Sequence, residues 1–312
     1  MSERESILTR LATAPISWGI CEVPGWGHQL EVDRVLSEMV ELGFTSTELG
    51  SPGWLPDDPS RLNAMLAAYD LDLLAAFVPL VLHDPALADE SLKRARATAN
   101  RLEAMGATYF NTAPVTSWDW SRREPVSAAG WDHVMAMFAA IDDIVAEHNL
   151  VQVLHSHVDT VVETADEVQR CIDNSDVKFV LDTAHFAIGG VDVRSFAETY
   201  AERVGLVHIK DLDISVATRL NDDELTLMEA VQAGIFPPVG HGDLDIGGVM
   251  SQLEIRGYQG WYVLEQDVAI TGDVPAPGEG PVLAVGESLA WLQAHHDASA
   301  LAQPTKNSNV IP

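Results

Sequence analysis

A single-domain α/β protein, folded as a (β/α)8 barrel, is what this sequence predicts, and three observations carry the prediction. Short β-rich runs alternate with longer runs of helical periodicity, eight times in order along 312 residues. Strands joined through helices cannot pair as hairpins, so the sheet is parallel, and eight such units close on themselves. An open doubly wound sheet lacks its mark. The loop after the first strand, Gly19-Ile-Cys-Glu-Val-Pro-Gly25, has neither the glycine spacing nor the helix of a dinucleotide cradle. Finally, several apolar strands end on their C-terminal side in an ionisable residue, the side on which barrels of this kind build their sites.

In order, residues 13–18 read as the first strand and 32–42 as a helix with apolar residues at helical spacing, stopped by Gly43. Residues 44–49 are strand, 59–69 helix, 73–77 strand, and 86–105 a long helix ended by Gly106. Then come strand 109–112, helix 131–148, strand 151–155, helix 164–174 and strand 178–182. Helix 193–203, strand 206–210, helix 249–256, strand 261–265 and a last helix at 283–295 complete the pattern. One barrel domain is expected over 1–297, with a flexible polar tail over 298–312.

Charge excludes whole classes of partner. Eighteen Lys and Arg face 47 Asp and Glu, a formal net charge of −29, which repels a phosphate backbone and an anionic lipid surface alike. The longest uncharged apolar stretch is about ten residues, half of what spans a bilayer. Two cysteines, Cys21 and Cys171, form no CxxC, and the N-terminus carries no apolar leader. The expectation is a cytoplasmic protein with a small-molecule partner, and neither nucleic acid nor membrane.

The site candidates sit at strand ends. Glu48 closes the second strand, His155 and His157 the fifth, Asp182 the sixth, His208 and Lys210 the seventh, and Glu265 with Asp267 the eighth. Alone, each has a bland reading: Asp182 caps the next turn, His155 is a hydrogen-bonded core residue, Lys210 snorkels from the rim. Together they fall at one end of four or more strands. His155, Asp182, His208 and Glu265 form a mixed nitrogen and oxygen donor set suited to Mn2+, Co2+, Zn2+ or Mg2+. Trp18 and the Pro24-Gly-Trp26-Gly run follow the first strand, and either stack a sugar ring or pack the barrel. Trp118 and Trp120 lie on the correct face to close a pocket, and His241-Gly-Asp-Leu-Asp245 is a glycine-rich turn before the last unit. There is no GxSxG elbow and no cysteine in a catalytic context, so covalent acyl chemistry is unsupported.

These residues resemble the xylose-isomerase-like family of TIM barrels, the sugar phosphate isomerase/epimerase group, and within it the inosose (2-keto-myo-inositol) dehydratases. The likeness runs through Ala14-Pro-Ile-Ser-Trp-Gly19, Thr47-Glu-Leu-Gly50, His155-Ser-His157, Leu181-Asp-Thr-Ala-His185, Val207-His-Ile-Lys-Asp211, Gly240-His-Gly-Asp-Leu-Asp245 and the 260–267 segment GWYVLEQD. It implies a divalent metal, Mn2+ first, with His155, Asp182, His208 and Glu265 as ligands. His155 stands where the wider family has Glu, and His155-Ser156-His157 where the branch has three histidines in a row. The implied chemistry is α-proton removal through a metal-stabilised enediolate. Expulsion of a β-hydroxyl then gives dehydration; reprotonation gives isomerisation or epimerisation, or the reaction of a 3-keto-glycoside relative. Glu48, His185, Lys210 and Glu265 are the catalytic candidates, with Trp18, His157 and His241 as substrate-binding candidates. Barrels of this kind often form homo-oligomers, which is the remaining partner expected.

Overall fold

The computed structural model describes residues 7–120 and 123–302. Eight parallel strands close in sequence order into a barrel. They are β1 (Leu11–Thr13), β2 (Ser46–Glu48), β3 (Asp72–Val81), β4 (Tyr109–Val115), β5 (Val151–His155), β6 (Lys178–Asp182), β7 (Val204–Ile209) and β8 (Tyr262–Leu264). The longer helices outside are α1 (Val32–Glu41), α2 (Pro59–Ala68), α3 (Ala88–Ala104), α4 (Ala128–Glu147) and α5 (Ala165–Asn174). They are followed by α6 (Thr183–Ile188), α7 (Val193–Thr199), α8 (Ile214–Asn221), α9 (Leu227–Gln232), α10 (Ile246–Ile255) and α11 (Pro281–Ala302). Among the described residues no helix is long and apolar enough to cross a membrane.

The predicted boundaries at β5 and β6 match to the residue; the first strand does not. β1 ends at Thr13, and Pro15–Trp18 forms a 3-10 turn closed by Gly19 at φ +81. Proline at the first position presets that turn, and a left-handed residue is most comfortable as glycine. The turn carries Trp18 away from the mouth. The final helix runs to Ala302, beyond the expected start of a tail at Ala298, and residues 303–312 lie outside the described residues. The expected leaderless N-terminus, 1–6, also lies outside them. Helices α8 and α9 are additions that the pattern of strands did not announce. Each starts on a residue that caps it, Asp213 and Thr226, whose side chains accept from backbone amides of the first turn.

The interior is layered. Tyr109, Val153, Val180, Leu206 and Val263 form part of a fully apolar cluster inside the barrel. Strand side chains alternate, so the residue two positions further along faces the same way. That step gives Asn111, His155, Asp182, His208 and Glu265, a polar layer resting on an apolar one. A second step gives His157, Lys210 and Asp267 above it. Outside, a larger cluster including Phe110, Phe138, Phe179, Leu36 and Leu253 seals the barrel against its helices.

Candidate active site

Asp182 answers both of its sequence readings. Its Oδ1 accepts from the amides of Ala184 and His185 at 2.9 and 2.8 Å and so caps α6. Its Oδ2 turns the other way, into the polar layer, where it has no hydrogen-bond partner among the described residues. His155 Nε2 is 3.6 Å from that oxygen, His208 Nδ1 3.9 Å and Lys210 Nζ 3.5 Å. Burial pushes the Asp182 carboxyl upward, but Lys210 and the surrounding groups hold it well below the usual carboxylate range.

His208 is held from both sides. Its Nδ1 lies 2.9 Å from Glu265 Oε2 and its Nε2 2.9 Å from Glu48 Oε1. Burial disfavours its charge, yet the two carboxylates raise its pKa well above that of a free imidazole. Glu48, expected as an acid–base candidate, meets the His208 ring and so helps to orient it.

Lys210 is 1% exposed, which rules out the snorkelling reading. Its ammonium donates to Asp267 Oδ1 at 2.7 Å, sits 2.9 Å from Glu265 Oε2 and 3.4 Å from His185 Nε2, and lies 4.9 Å from the centre of the Phe236 ring. Burial opposes the charge, and Asp267, Glu265 and Asp182 together keep it firmly protonated. Asp267 in turn is pushed up to about 6, by burial that Lys210 only partly offsets.

His185 and His157 are tilted against each other with ring centres 3.8 Å apart. Burial and the neighbouring His157 ring hold His185 neutral, and burial with the nearby His155 and Lys210 pushes His157 down to about 3. His157 continues into an aromatic wall: Phe77 at 5.9 Å and Trp120 at 6.3 Å, themselves stacked at 6.0 Å. Trp120 adopts φ +56, left-handed for a non-glycine.

Two of the expected substrate contacts fall elsewhere. Trp18 is fully buried in the outer core and its Nε1 donates to Glu38 Oε2 at 2.8 Å, so it offers no surface to a ligand. Trp26 packs likewise and donates to the Val268 carbonyl. His241 is exposed on a loop that Asp211 anchors by accepting from the amides of Gly240, Gly242 and Leu244. Two residues of the site are absent from the sequence reading, Asn111 and Phe236, and Asn111 had a signal, since it stands two positions beyond the inward-facing Tyr109.

The donor set fits a divalent cation. His155 Nε2 and Asp182 Oδ2 are buried without hydrogen-bond partners among the described residues, which is costly unless something fills the space between them. Glu48, Asp182, Glu265 and Asp267 bring four carboxyl groups against the Lys210 ammonium and the His208 ring, so the cluster carries an excess of negative charge. His155, Asp182 and His208 present ligand atoms within 4.8 Å of one another, as do Glu48, His208 and Glu265. A third grouping, His157, His185 and Asp267, is equally close, but the Lys210 ammonium already provides its cation.

The chain belongs to the xylose isomerase-like TIM barrel family, whose model matches residues 36–295. It is 33% identical over 276 residues to an inosose dehydratase of Geobacillus kaustophilus (strain HTA426), an alignment covering 84% of this chain and 89% of that one. Among solved structures, L-ribulose 3-epimerase superposes with a TM-score of 0.69 at 16% identity, covering 95% of this chain and 99% of the other. The IOLI protein, solved with a bound zinc atom, gives 0.66 at 16% identity, covering 94% and 100%. The chain is an enzyme of this family.

Proposed function

We propose that this enzyme is a divalent-metal-dependent lyase that dehydrates a keto-inositol, an inosose dehydratase in activity. The observation that carries the reading is the convergence of four strand ends, His155, Asp182, His208 and Glu265, on one buried polar layer with two unpartnered ligand atoms. Its relatedness to the Geobacillus enzyme supports the substrate class. Mn2+ is the ion of choice, with Co2+, Mg2+ or Zn2+ able to replace it on the same mixed donor set. Those four residues would hold the ion, which would supply Lewis-acid stabilisation to negative charge on the substrate carbonyl.

The chain's own groups do the rest. His185, neutral in its buried setting, takes the proton from the carbon beside the ketone, and the electron pair moves into the enediolate. The Lys210 ammonium faces the developing charge and returns a proton to the departing β-hydroxyl, which leaves as water; Asp267 keeps the lysine in place. Glu48 holds the His208 ring. The wall of His157, Trp120 and Phe77 takes the C–H face of a six-membered ring. The −29 charge argues for a small neutral polyol as substrate, and the proposed place of action is the cytoplasm.

Epimerisation through the same enediolate is the second reading, favoured by the superposition on L-ribulose 3-epimerase. Proton NMR in D2O of the Mn2+-loaded protein with 2-keto-myo-inositol, then with a panel of ketohexoses, separates the two. Release of water with a new diketone signal supports the lyase. Deuterium entering the α-carbon with a changed stereocentre moves the enzyme to the epimerase class, and silence across the panel removes both substrates.

A further inference from the structure

Of the five inward residues in the polar layer, Asn111 alone offers neither charge nor ring nitrogen. It is fully buried, its Nδ2 stands 3.3 Å from His155 Nδ1, and its Oδ1 has no hydrogen-bond partner among the described residues. Across the imidazole, His155 Nε2 is likewise without a partner. The nearest acceptor, Asp182 Oδ2 at 3.6 Å, lies beyond hydrogen-bond reach.

Which ring nitrogen of a histidine carries the proton is set by what the other one meets. If the Asn111 amide nitrogen donates to Nδ1, the proton sits on Nε2 and points at an oxygen too far to accept it. If the amide is turned so that Oδ1 faces the ring, Oδ1 accepts Nδ1–H, and Nε2 shows its lone pair to Asp182 Oδ2 and His208. Either orientation leaves one end of the amide without a partner. Only the second satisfies the imidazole donor and makes two lone pairs, from Nε2 and Oδ2, converge on one point. The oxygen and nitrogen of an amide are exchanged by a half-turn of the side chain, so the two states share one shape.

We propose that Asn111 is a positioning residue that fixes His155 as its Nδ1–H tautomer by accepting that proton on its amide oxygen, so that Nε2 is held as a ligand atom. The proposal rests on the metal-dependent reading above. Strand pairing supports it. Asn111 is opposite Val153 in the β4–β5 ladder, one inward step before His155, so neighbouring strands deliver the acceptor and the ring to the same layer. An asparagine buried with nothing but packing to do would not be placed against a ring nitrogen.

The test uses Mn2+ titration of the metal-free protein by calorimetry, with wild type, Asn111→Leu and Asn111→Asp. Leucine keeps the size and removes the acceptor; aspartate keeps an acceptor oxygen. The expected result is a 10- to 100-fold weaker Mn2+ affinity for Asn111→Leu, with Asn111→Asp close to wild type. Nitrogen-15 NMR of labelled histidines in the metal-free wild type reads the tautomer directly, with a protonated Nδ1 and an unprotonated Nε2 expected at His155. Equal affinity in wild type and Asn111→Leu, equal losses in both variants, or a protonated Nε2 in wild type would each overturn the proposal. A wild type that binds no Mn2+ would instead overturn the metal-dependent reading. The tautomer is measured on metal-free wild type, so it decides the Asn111 proposal even then, and even if Asn111→Leu does not fold.

Discussion

At the N-terminal end of the barrel Arg10, 6% exposed, meets Glu254 at 3.1 Å and the carbonyl of Gly260, while Tyr262 donates to the same glutamate at 2.9 Å. One cation answers one anion. At the C-terminal end, four carboxyl groups share Lys210 and the His208 ring, and His155 Nε2, Asp182 Oδ2 and His185 Nδ1 have no hydrogen-bond partner among the described residues. Both ends bury charge, and the difference lies in the balance. The ion pair at the strand starts balances its charge, and the one Arg10 atom without a partner among the described residues, Nε, is a donor that calls for no cation. An excess of buried acceptors is tolerable only where a cation or a substrate completes it. Charge balance, more than burial, separates the structural end from the working one.

The sharpest way to break that contrast is Asp182→Asn. Asparagine keeps an oxygen to cap α6 and loses the charge facing the layer, so Mn2+ binding and turnover should both fall by about 10^3-fold or more, with the fold retained by circular dichroism. Survival of either would remove Asp182 from the ligand set. Next comes Lys210→Met. Turnover should drop by roughly 10^2- to 10^4-fold while Mn2+ still binds. Asp267, left buried and unpaired, should lower stability by about 3 kcal/mol in urea denaturation. A turnover within tenfold of wild type would make Lys210 scaffold.

At the opposite end, Arg10→Met should cost about 2 to 3 kcal/mol of stability and leave kcat/KM within twofold, because it opens a pair that no substrate meets. Trp18→Phe, which removes the donor to Glu38 and part of the buried ring, should cost about 1 to 2 kcal/mol with KM unchanged; a raised KM would restore Trp18 to the pocket. The smallest effect concerns Glu167. Burial resists its charge, but Arg123 and the amides of Thr164 and Glu163 outweigh burial and depress its pKa. A depressed folded-state value means its contribution is present above the unfolded carboxyl pKa and fades as pH falls through the lower folded one. Denaturation curves between neutral and acid pH should show that loss, and Glu167→Gln should flatten it, by about 1 kcal/mol.

Much of this was legible from the chain. Hydrophobic runs bounded by glycine and ending in Asp, His or Glu located the strands and the end that carries the site, and the ladder places β5 and β6 where the runs lie. The first strand was misplaced because Ser17 and Trp18 read as β-formers, whereas Pro15 and the left-handed Gly19 decide the local geometry. Trp18 went wrong with it, since a one-turn change sends the side chain to α1. Glu48 and Lys210 stand out in the sequence as ionisable strand ends, but their partners depend on a barrel closure that brings residues 160 and 57 positions apart into contact, and no local pattern encodes that. Asn111 was hidden by its type. A neutral amide in an apolar strand draws no notice until the neighbouring strand supplies His155.

The most direct test of the central claim is the stoichiometry of Mn2+ binding to the metal-free protein, followed calorimetrically in wild type and Asp182→Asn. One ion per chain in wild type and none in the variant is the predicted result. No binding in wild type, or one ion in both proteins, would contradict a metal centre built on the strand-end layer.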